Sequence, residues 1–340
     1  MLRGAVAVVG AGSWGTTVSA LLGADADIVL WSRSSEVADA INATGRNPRY
    51  VEHVVLPPTV RATPSLAEAV DGAAVVLVAV PSHGFRAVVE AMAGRLATGA
   101  AVVSLAKGLE VGTHRRMSEI VASCLPGHPA GVLSGPTLAH EVAVGHPAAA
   151  VVASPDAATA ERVQQLLHGS TFRVYTTTDV VGCEVAGAAK NVMAIAAGIA
   201  DGLGFGENTR AVLVTRGLAE LTRLGVAAGG SAATFAGLAG GGDLVATCTS
   251  WQSRNRMVGL ALGGGRKLDE VMAEMHMVAE GVRTARPLVE LARSHGVEVP
   301  IAEQVAAIVA GETTPADAVA ALMERPARAE HDGLSGSALG

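Results

Sequence analysis

Apolar residues come in short runs through the first half of the chain and in helix-length stretches through the second. Val6–Val9, Asp27–Trp31, Val75–Val80, Ala101–Leu105, Gly131–Leu133, Ala148–Val152 and Phe172–Tyr175 read as strands. They are rich in Val and Ala and show little inside–outside alternation, as expected of parallel strands buried on both faces. Helical stretches near Phe85–Leu96, His114–Cys124 and Ala157–Leu167 separate most of them. Strand and helix in alternation predict a doubly wound parallel sheet. After about Asp179 the pattern changes, and helical runs follow one another: Val181–Ala200, Thr209–Leu224, Asn255–Leu262, Leu268–Met275, Gly281–Ser294, Ala302–Ala310 and Pro315–Leu322. No repeat of solenoid length is visible. The tail from Pro326 is polar and rich in small residues, a composition that predicts disorder.

The first strand runs into Gly10-Ala11-Gly12-Ser13-Trp14-Gly15 and a small-residue helix. This is the strand, glycine turn and helix of a dinucleotide-binding unit. Gly10 allows the tight turn, Gly12 lets the backbone approach a pyrophosphate, and Gly15 lets helix and strand pack. The unpaired N–H groups of the helix N-terminus then face the phosphates. The expected fold is α/β: an N-terminal Rossmann-like doubly wound parallel sheet over residues 1–178, then an all-α C-terminal domain over 179–325 and the tail 326–340. The second strand ends in Ser32-Arg33-Ser34-Ser35 with no acid to hold a ribose 2′-hydroxyl. Arg33 beside small hydroxyl residues suits a 2′-phosphate, which favours NADP(H) and leaves NAD(H) open.

Composition narrows the function classes. The chain has 340 residues, half of them hydrophobic and 16% charged. No segment reaches the roughly 18 uninterrupted apolar residues of a spanning helix. The first residues lead straight into strand one, leaving no room for a signal peptide. Three cysteines, Cys124, Cys183 and Cys248, show neither CxxC nor metal-ligand spacing, so no metal site is expected. Both features predict a cytoplasmic location. A net charge of −6 and few aromatics argue against nucleic acid as a partner.

One cation stands out. Lys190 lies in VGCEVAGAAKNVMAIAAGIAD, a run of small and apolar residues that reads as a buried helix. An ammonium there is costly unless a carboxylate or anionic ligand offsets it, and burial lowers its pKa toward the range of proton exchange near neutrality. Further polar clusters follow predicted strands, where ligands bind in open α/β sheets. They are Val80-Pro81-Ser82-His83, the Ser104–Glu110 segment containing Lys107, and Ser134-Gly135-Pro136-Thr137 with Ala139, His140 and Glu141 behind it. In the helical half, Asp243 follows Gly240-Gly241-Gly242. Ser253 is an expected N-cap, with Arg254 and Asn255 in the first turn: a helix N-terminus plus a guanidinium suits a phosphate.

With these segments in view, the chain resembles an NAD(P)-dependent glycerol-3-phosphate dehydrogenase of the bacterial type. VGAGSWGTT, LWSR, NPRY, AVPSH, SLAKGLE, LSGPTLAHEV, EVAGAAKNVMAIAAGIADGLGFGENT, TRGLAE, GLAGGGDLVATCTS, SRNR and VAEGV carry the resemblance, from the first strand to about residue 325. It implies reversible hydride transfer between NAD(P)H and dihydroxyacetone phosphate, supplying glycerol 3-phosphate for phospholipid synthesis. Lys190 would be the proton donor or acceptor, with Asp243 beside it and Lys107 polarising the substrate. Gly135 and Thr137 would line the substrate pocket, and Ser253, Arg254 and Asn255 would hold its phosphate. Ser13, Trp14, Arg33, Tyr50, Lys107, Ala139, Arg254, Val278 and Glu280 would line the cofactor alongside Gly10, Gly12 and Gly15. The Gly240–Gly242 run reads as drift outside the chemistry. A helical half rich in small residues is compatible with a homodimer. Two alternatives stand beside this reading: a related two-domain NADPH-dependent reductase of another small oxo compound, and a catalytically idle NADPH-binding regulator.

Overall fold

The computed structural model describes residues 5–23, 26–275, 279–327 and 329–330 of the chain. Most of the tail predicted to be disordered, including 331–340, lies outside the described residues. The chain divides into two compact units, one formed by Met1–Ala106 and Met117–Val180, the other by Lys107–Arg116 and Val181–Gly340.

The first unit is an eight-stranded sheet with helices between its strands. In chain order it runs β1 (Val6–Val9), α1 (Ser13–Leu21), β2 (Ile28–Trp31), α2 (Ser35–Thr44), β3 (Val60–Thr63), α3 (Leu66–Val70), β4 (Val75–Val78) and α4 (Ser82–Ala91). It continues with β5 (Ala101–Ser104), α5 (Met117–Cys124), β6 (Ala130–Ser134), α6 (Ala139–Ala143), β7 (Ala148–Ala153), α7 (Ala157–Leu167) and β8 (Phe172–Thr177). The strand order is β3-β2-β1-β4-β5-β6-β7-β8. Strands β1, β4 and β5 are buried at every residue, as continuous apolar runs require when helices cover both faces. The order reverses at β1/β4, so the glycine turn after β1 opens at the switch point where open α/β sheets bind ligands.

Six strands are parallel, as predicted, but β7 lies antiparallel to β6, with Leu133 opposite Val152, and β8 runs parallel to β7. The reason lies in the connections. A parallel return needs a crossover long enough to traverse the sheet, usually a full helix. Between β6 and β7 there is only the five-residue α6, which is tied to α1 where the Thr17 hydroxyl donates to the Ala139 carbonyl at 3.2 Å. Strand β3, VRAT, was not anticipated from the sequence: it is an edge strand with an exposed arginine and little apolar signal. The helix predicted from His114 begins at Met117, because His114 takes a left-handed φ of 58°.

The second unit is helical: α8 (Val180–Gly202), α9 (Glu207–Ala227), α10 (Ala232–Ala236), a π-helical turn (Leu238–Gly242), α11 (Asp243–Thr249), α12 (Arg254–Gly263), α13 (Leu268–Glu274), α14 (Glu280–Ser294), α15 (Pro300–Val309) and α16 (Pro315–Met323). Helix α8 is its axis. By length and composition it is apolar enough to cross a membrane, despite Glu184 and Lys190, but 94% of its apolar window is buried inside the protein. Its small residues explain the packing. A Cβ on Gly198 would sit 2.0 Å from the Arg256 carbonyl oxygen, and one on Gly259 would sit 2.1 Å from that of Ile195. Glycine on both helices lets α8 and α12 touch backbone to backbone.

Candidate active site

In the first unit the glycine turn has the geometry its sequence promised. Gly10 has φ +120°, and a Cβ on Gly15 would sit 1.9 Å from the Gly10 carbonyl oxygen, so neither position accepts a side chain. Gly12 differs: a Cβ there would meet no protein atom within 4 Å. The open space above it, and an α1 N-terminus without a side-chain cap, fit a pyrophosphate. Ser13 and Trp14 form the first turn. The Trp14 ring lies 6.3 Å from that of Phe172, and its buried indole N–H has no partner among the described residues. Asn47, fully buried, donates to the Ala11 carbonyl at 3.0 Å and to the Thr16 hydroxyl at 2.8 Å, and accepts from the Arg49 and Tyr50 N–H groups. It fastens the loop carrying Tyr50 to the glycine turn. Nothing in NPRY except an asparagine beside a proline signalled this. Arg33 is exposed just beyond β2. Gly135 follows β6 at φ +124°, and the Thr137 hydroxyl donates to its carbonyl at 3.2 Å.

The second unit gathers Lys190, Asp243 and Lys107, three residues distant in sequence. Lys190 is 7% exposed on α8. Its ammonium donates to Asp243 Oδ1 at 2.8 Å and to the Thr247 hydroxyl at 2.7 Å. Lys107 donates to the other carboxylate oxygen at 2.7 Å. One buried carboxylate therefore bridges two ammonium groups. Burial pulls Lys190 down from 10.5 to about 8; Asp243 opposes that shift and Lys107 reinforces it. Burial alone would push the Asp243 carboxyl up, but the two lysines together hold it below its ordinary value. Cys248, beside them, is pushed up to about 12 by burial and stays a neutral thiol.

The Gly240–Gly242 run does not lie outside this chemistry. It forms the π-helical turn that delivers Asp243, with the Gly242 N–H donating to the Gly237 carbonyl at 3.1 Å. A Cβ on Gly240 would sit 2.3 Å from the Phe235 carbonyl oxygen. Single π-helical turns recur where a side chain has to be re-aimed at a site.

Sequence reasoning also missed a chain of amides behind the lysines. Asn191 donates to the Lys107 carbonyl at 2.8 Å, Asn255 donates to Asn191 Oδ1 at 2.9 Å, and the Gly281 N–H donates to Asn255 Oδ1 at 2.9 Å. The Asn255 carboxamide is thus engaged between helices. Ser253 caps α12, accepting from the Arg256 N–H at 3.3 Å. Arg256 is buried, paired with Asp201 at 2.8 Å and stacked 3.9 Å over Trp251. Arg254 is the exposed guanidinium at this helix start. Glu280 opens α14, and Val278 lies outside the described residues.

The glycine turn and the lysine–aspartate cluster can be set beside known proteins. The family described as NAD-dependent glycerol-3-phosphate dehydrogenase matches residues 5–160 with its N-terminal profile and 179–320 with its C-terminal profile. Glycerol-3-phosphate dehydrogenase [NAD(P)+] 2 of Sphingopyxis alaskensis is 49% identical over 323 residues, covering 95% of this chain and 97% of the relative. The glycerol-3-phosphate dehydrogenase [NAD(P)+] of Mycobacterium avium is 54% identical over 305 residues, covering 89% of each. The crystal structure of glycerol-3-phosphate dehydrogenase from Coxiella burnetii superposes with a TM-score of 0.91 at 40% identity, covering 95% of this chain and 99% of that one. A ketopantoate reductase from Ralstonia eutropha shares the fold alone, with a TM-score of 0.59 at 18% identity.

Proposed function

The chain belongs to the NAD-dependent glycerol-3-phosphate dehydrogenase family, and from that premise we propose that it interconverts dihydroxyacetone phosphate and glycerol 3-phosphate at the Lys190–Asp243–Lys107 cluster, supplying a phospholipid precursor. The observation that carries the proposal is a buried ammonium brought to about 8 with a carboxylate and a second cation fixed around it. Such a group exchanges protons near neutrality. When bound, the nicotinamide supplies and accepts the hydride. Lys190 gives its proton to the carbonyl oxygen in reduction and takes it back from the hydroxyl in oxidation. Lys107 adds positive charge that stabilises the developing alkoxide. Asp243 aims both ammonium groups.

In the first unit, Gly10, Gly12 and Gly15 would take the pyrophosphate, with Ser13, Trp14, Tyr50 and Ala139 along the cofactor and Arg33 meeting a 2′-phosphate. The family resemblance also assigns Lys107, Arg254, Val278 and Glu280 to the cofactor. Gly135 and Thr137 would line the substrate. Arg254 and the first turn of α12 would hold its phosphate, with Ser253 and Asn255 shaping that turn. The division of labour is a cofactor-binding first domain and a substrate-binding, catalytic second one. Free cysteines, with no disulfide among the described residues, support a cytoplasmic location. An apolar cleft of about 1270 Å³ along α9, α15 and α16, with Phe205, Val212 and Met323 exposed, supports a homodimer. Sedimentation as a monomer at assay concentration would remove that partner.

Oxidation of NADPH with dihydroxyacetone phosphate is the decisive assay, and NADPH should outperform NADH. A faster reaction with a non-phosphorylated oxo acid would overturn the substrate, and no turnover of either would leave a cofactor-binding regulator. The phosphate role has its own check. Arg254→Lys keeps the charge but loses the two-pronged fork. It should raise the KM for dihydroxyacetone phosphate by about tenfold, and Arg254→Ala more, with some loss of kcat because phosphate binding orients the ketone. Dihydroxyacetone, which lacks the phosphate, should change little. Equal losses on both ketones would mean that Arg254 serves the fold or the cofactor.

A further inference from the structure

Lys107 opens a short segment that belongs to a different unit from the strand before it and the helix after it. Strand β5 ends at Ser104 and α5 begins at Met117, both in the first unit, yet the ten residues from Lys107 to Arg116 group with the helices. Besides the Lys107–Asp243 ion pair, several contacts hold this segment there. Its Leu109 side chain is buried in the core built around α8. The Arg116 guanidinium donates to Glu184 on α8 at 2.9 Å, with the Glu184 side chain only 3% exposed. His114 Nε2 lies 2.6 Å from the Glu290 carboxylate on α14. Asn191 on α8 holds the Lys107 carbonyl itself. Within the segment, the Glu110 N–H donates to the Arg115 carbonyl and the His114 N–H to the Glu110 carbonyl, closing it into a compact loop.

We propose that Lys107–Arg116 is a strap whose anchor, the Arg116–Glu184 ion pair, positions the Lys107 ammonium on Asp243, making Arg116 and Glu184 positioning residues for the reaction. A buried carboxylate such as Glu184 is costly without its cation, so the pair has a strong preference for staying closed once formed. The α8 helix then carries both ends of the arrangement: Glu184 sets the far end of the strap, Asn191 its near end, and Lys190 meets the same aspartate from the other side. A loop slack at its far end would give a four-carbon side chain more room to wander. Held at both ends, Lys107 presents its charge at a fixed distance from the proton-exchanging lysine.

This inference rests on the proposed reaction, and its test separates the two. The groups facing Lys190 are Asp243, Lys107, Cys248 and the Thr247 hydroxyl. Of these, Lys107 is the one that depresses Lys190. A slack strap should therefore raise the pH at which reduction of dihydroxyacetone phosphate declines. The experiment compares kcat/KM against pH for wild type, Lys107→Met, Arg116→Met and Arg116→Lys. Arg116→Met should lose roughly ten- to a hundredfold in kcat, since small misplacement of a reacting group has effects of that size. Its alkaline midpoint should move up toward that of Lys107→Met, and Arg116→Lys should restore part of both. Glu184→Gln should behave as Arg116→Met does. A folded Arg116→Met enzyme with the wild-type midpoint, beside a shifted Lys107→Met, would overturn the proposal. Amide hydrogen exchange on the wild-type protein adds a readout that needs neither activity nor a stable variant. Strap amides bonded inside the loop should be protected well beyond those of exposed turns. Exchange as fast as a free loop would also overturn the strap, whatever the substrate proves to be.

Discussion

Lys190→Ala is expected to lower kcat for dihydroxyacetone phosphate by roughly 100- to 10,000-fold, the usual worth of general acid–base assistance. NADPH binding, followed by its fluorescence, should be nearly unchanged. The fold should survive, because Asp243 keeps Lys107 as its counter-charge at 2.7 Å when Lys190 is gone. A variant that retains more than about a tenth of the wild-type kcat would take Lys190 out of the proton path. The wild-type enzyme offers a companion check in the sign of its pH dependence. Reduction needs the ammonium and should decline as pH rises through about 8; oxidation needs the free amine and should rise through the same range. Parallel profiles in the two directions would assign the titration to another group.

Asp243→Ala should have the largest effect on stability. It leaves the buried Lys190 ammonium and the partly buried Lys107 ammonium with no carboxylate between them. Breaking a buried pair by removing one partner typically destabilises by about 3–5 kcal/mol, so a clear fall in Tm is expected. The Lys190 ammonium also loses the neighbour that raises its pKa and keeps the one that lowers it, so its pKa should drop below the wild-type value of about 8. Adding Lys107→Met to Asp243→Ala removes the repulsion and should recover part of the lost Tm. Strict additivity of the two substitutions would mean that Lys107 and Asp243 are not coupled through the cluster.

How much of this could be read from the chain depends on what each signal measures. Lys190 was legible because a single cation in a long small-residue helix conflicts with its surroundings, and that conflict is visible in sequence. Thr247 was missed although it stands four residues after Asp243, on the same helical face. A threonine there is ordinary until the lysine it faces is known. Asn191 and Asn47 were missed for the same reason: their importance lies in partners 84 and 36 residues away. The sheet was legible in its buried strands, but apolar runs carry no direction, so the reversal of β7 could not be read. The glycines before Asp243 were misjudged because composition cannot show that Gly240 lies against the Phe235 backbone. The strap is the least legible feature. Leu109 and Val111 are both apolar in a mostly polar loop, and nothing in the sequence says that Leu109 is buried while Val111 is exposed.

That Lys107, Lys190 and Asp243 all belong to one compact unit has a consequence for how such an enzyme can change over time. The acidity of Lys190 is set by burial and by Asp243, Lys107 and Cys248, all three of which belong to the helical unit. The end of β2, where Arg33 stands, is free to drift without altering that acidity. If Arg33 reads the 2′-phosphate as proposed, substitutions there should change cofactor preference and leave the Lys190 acidity as it is.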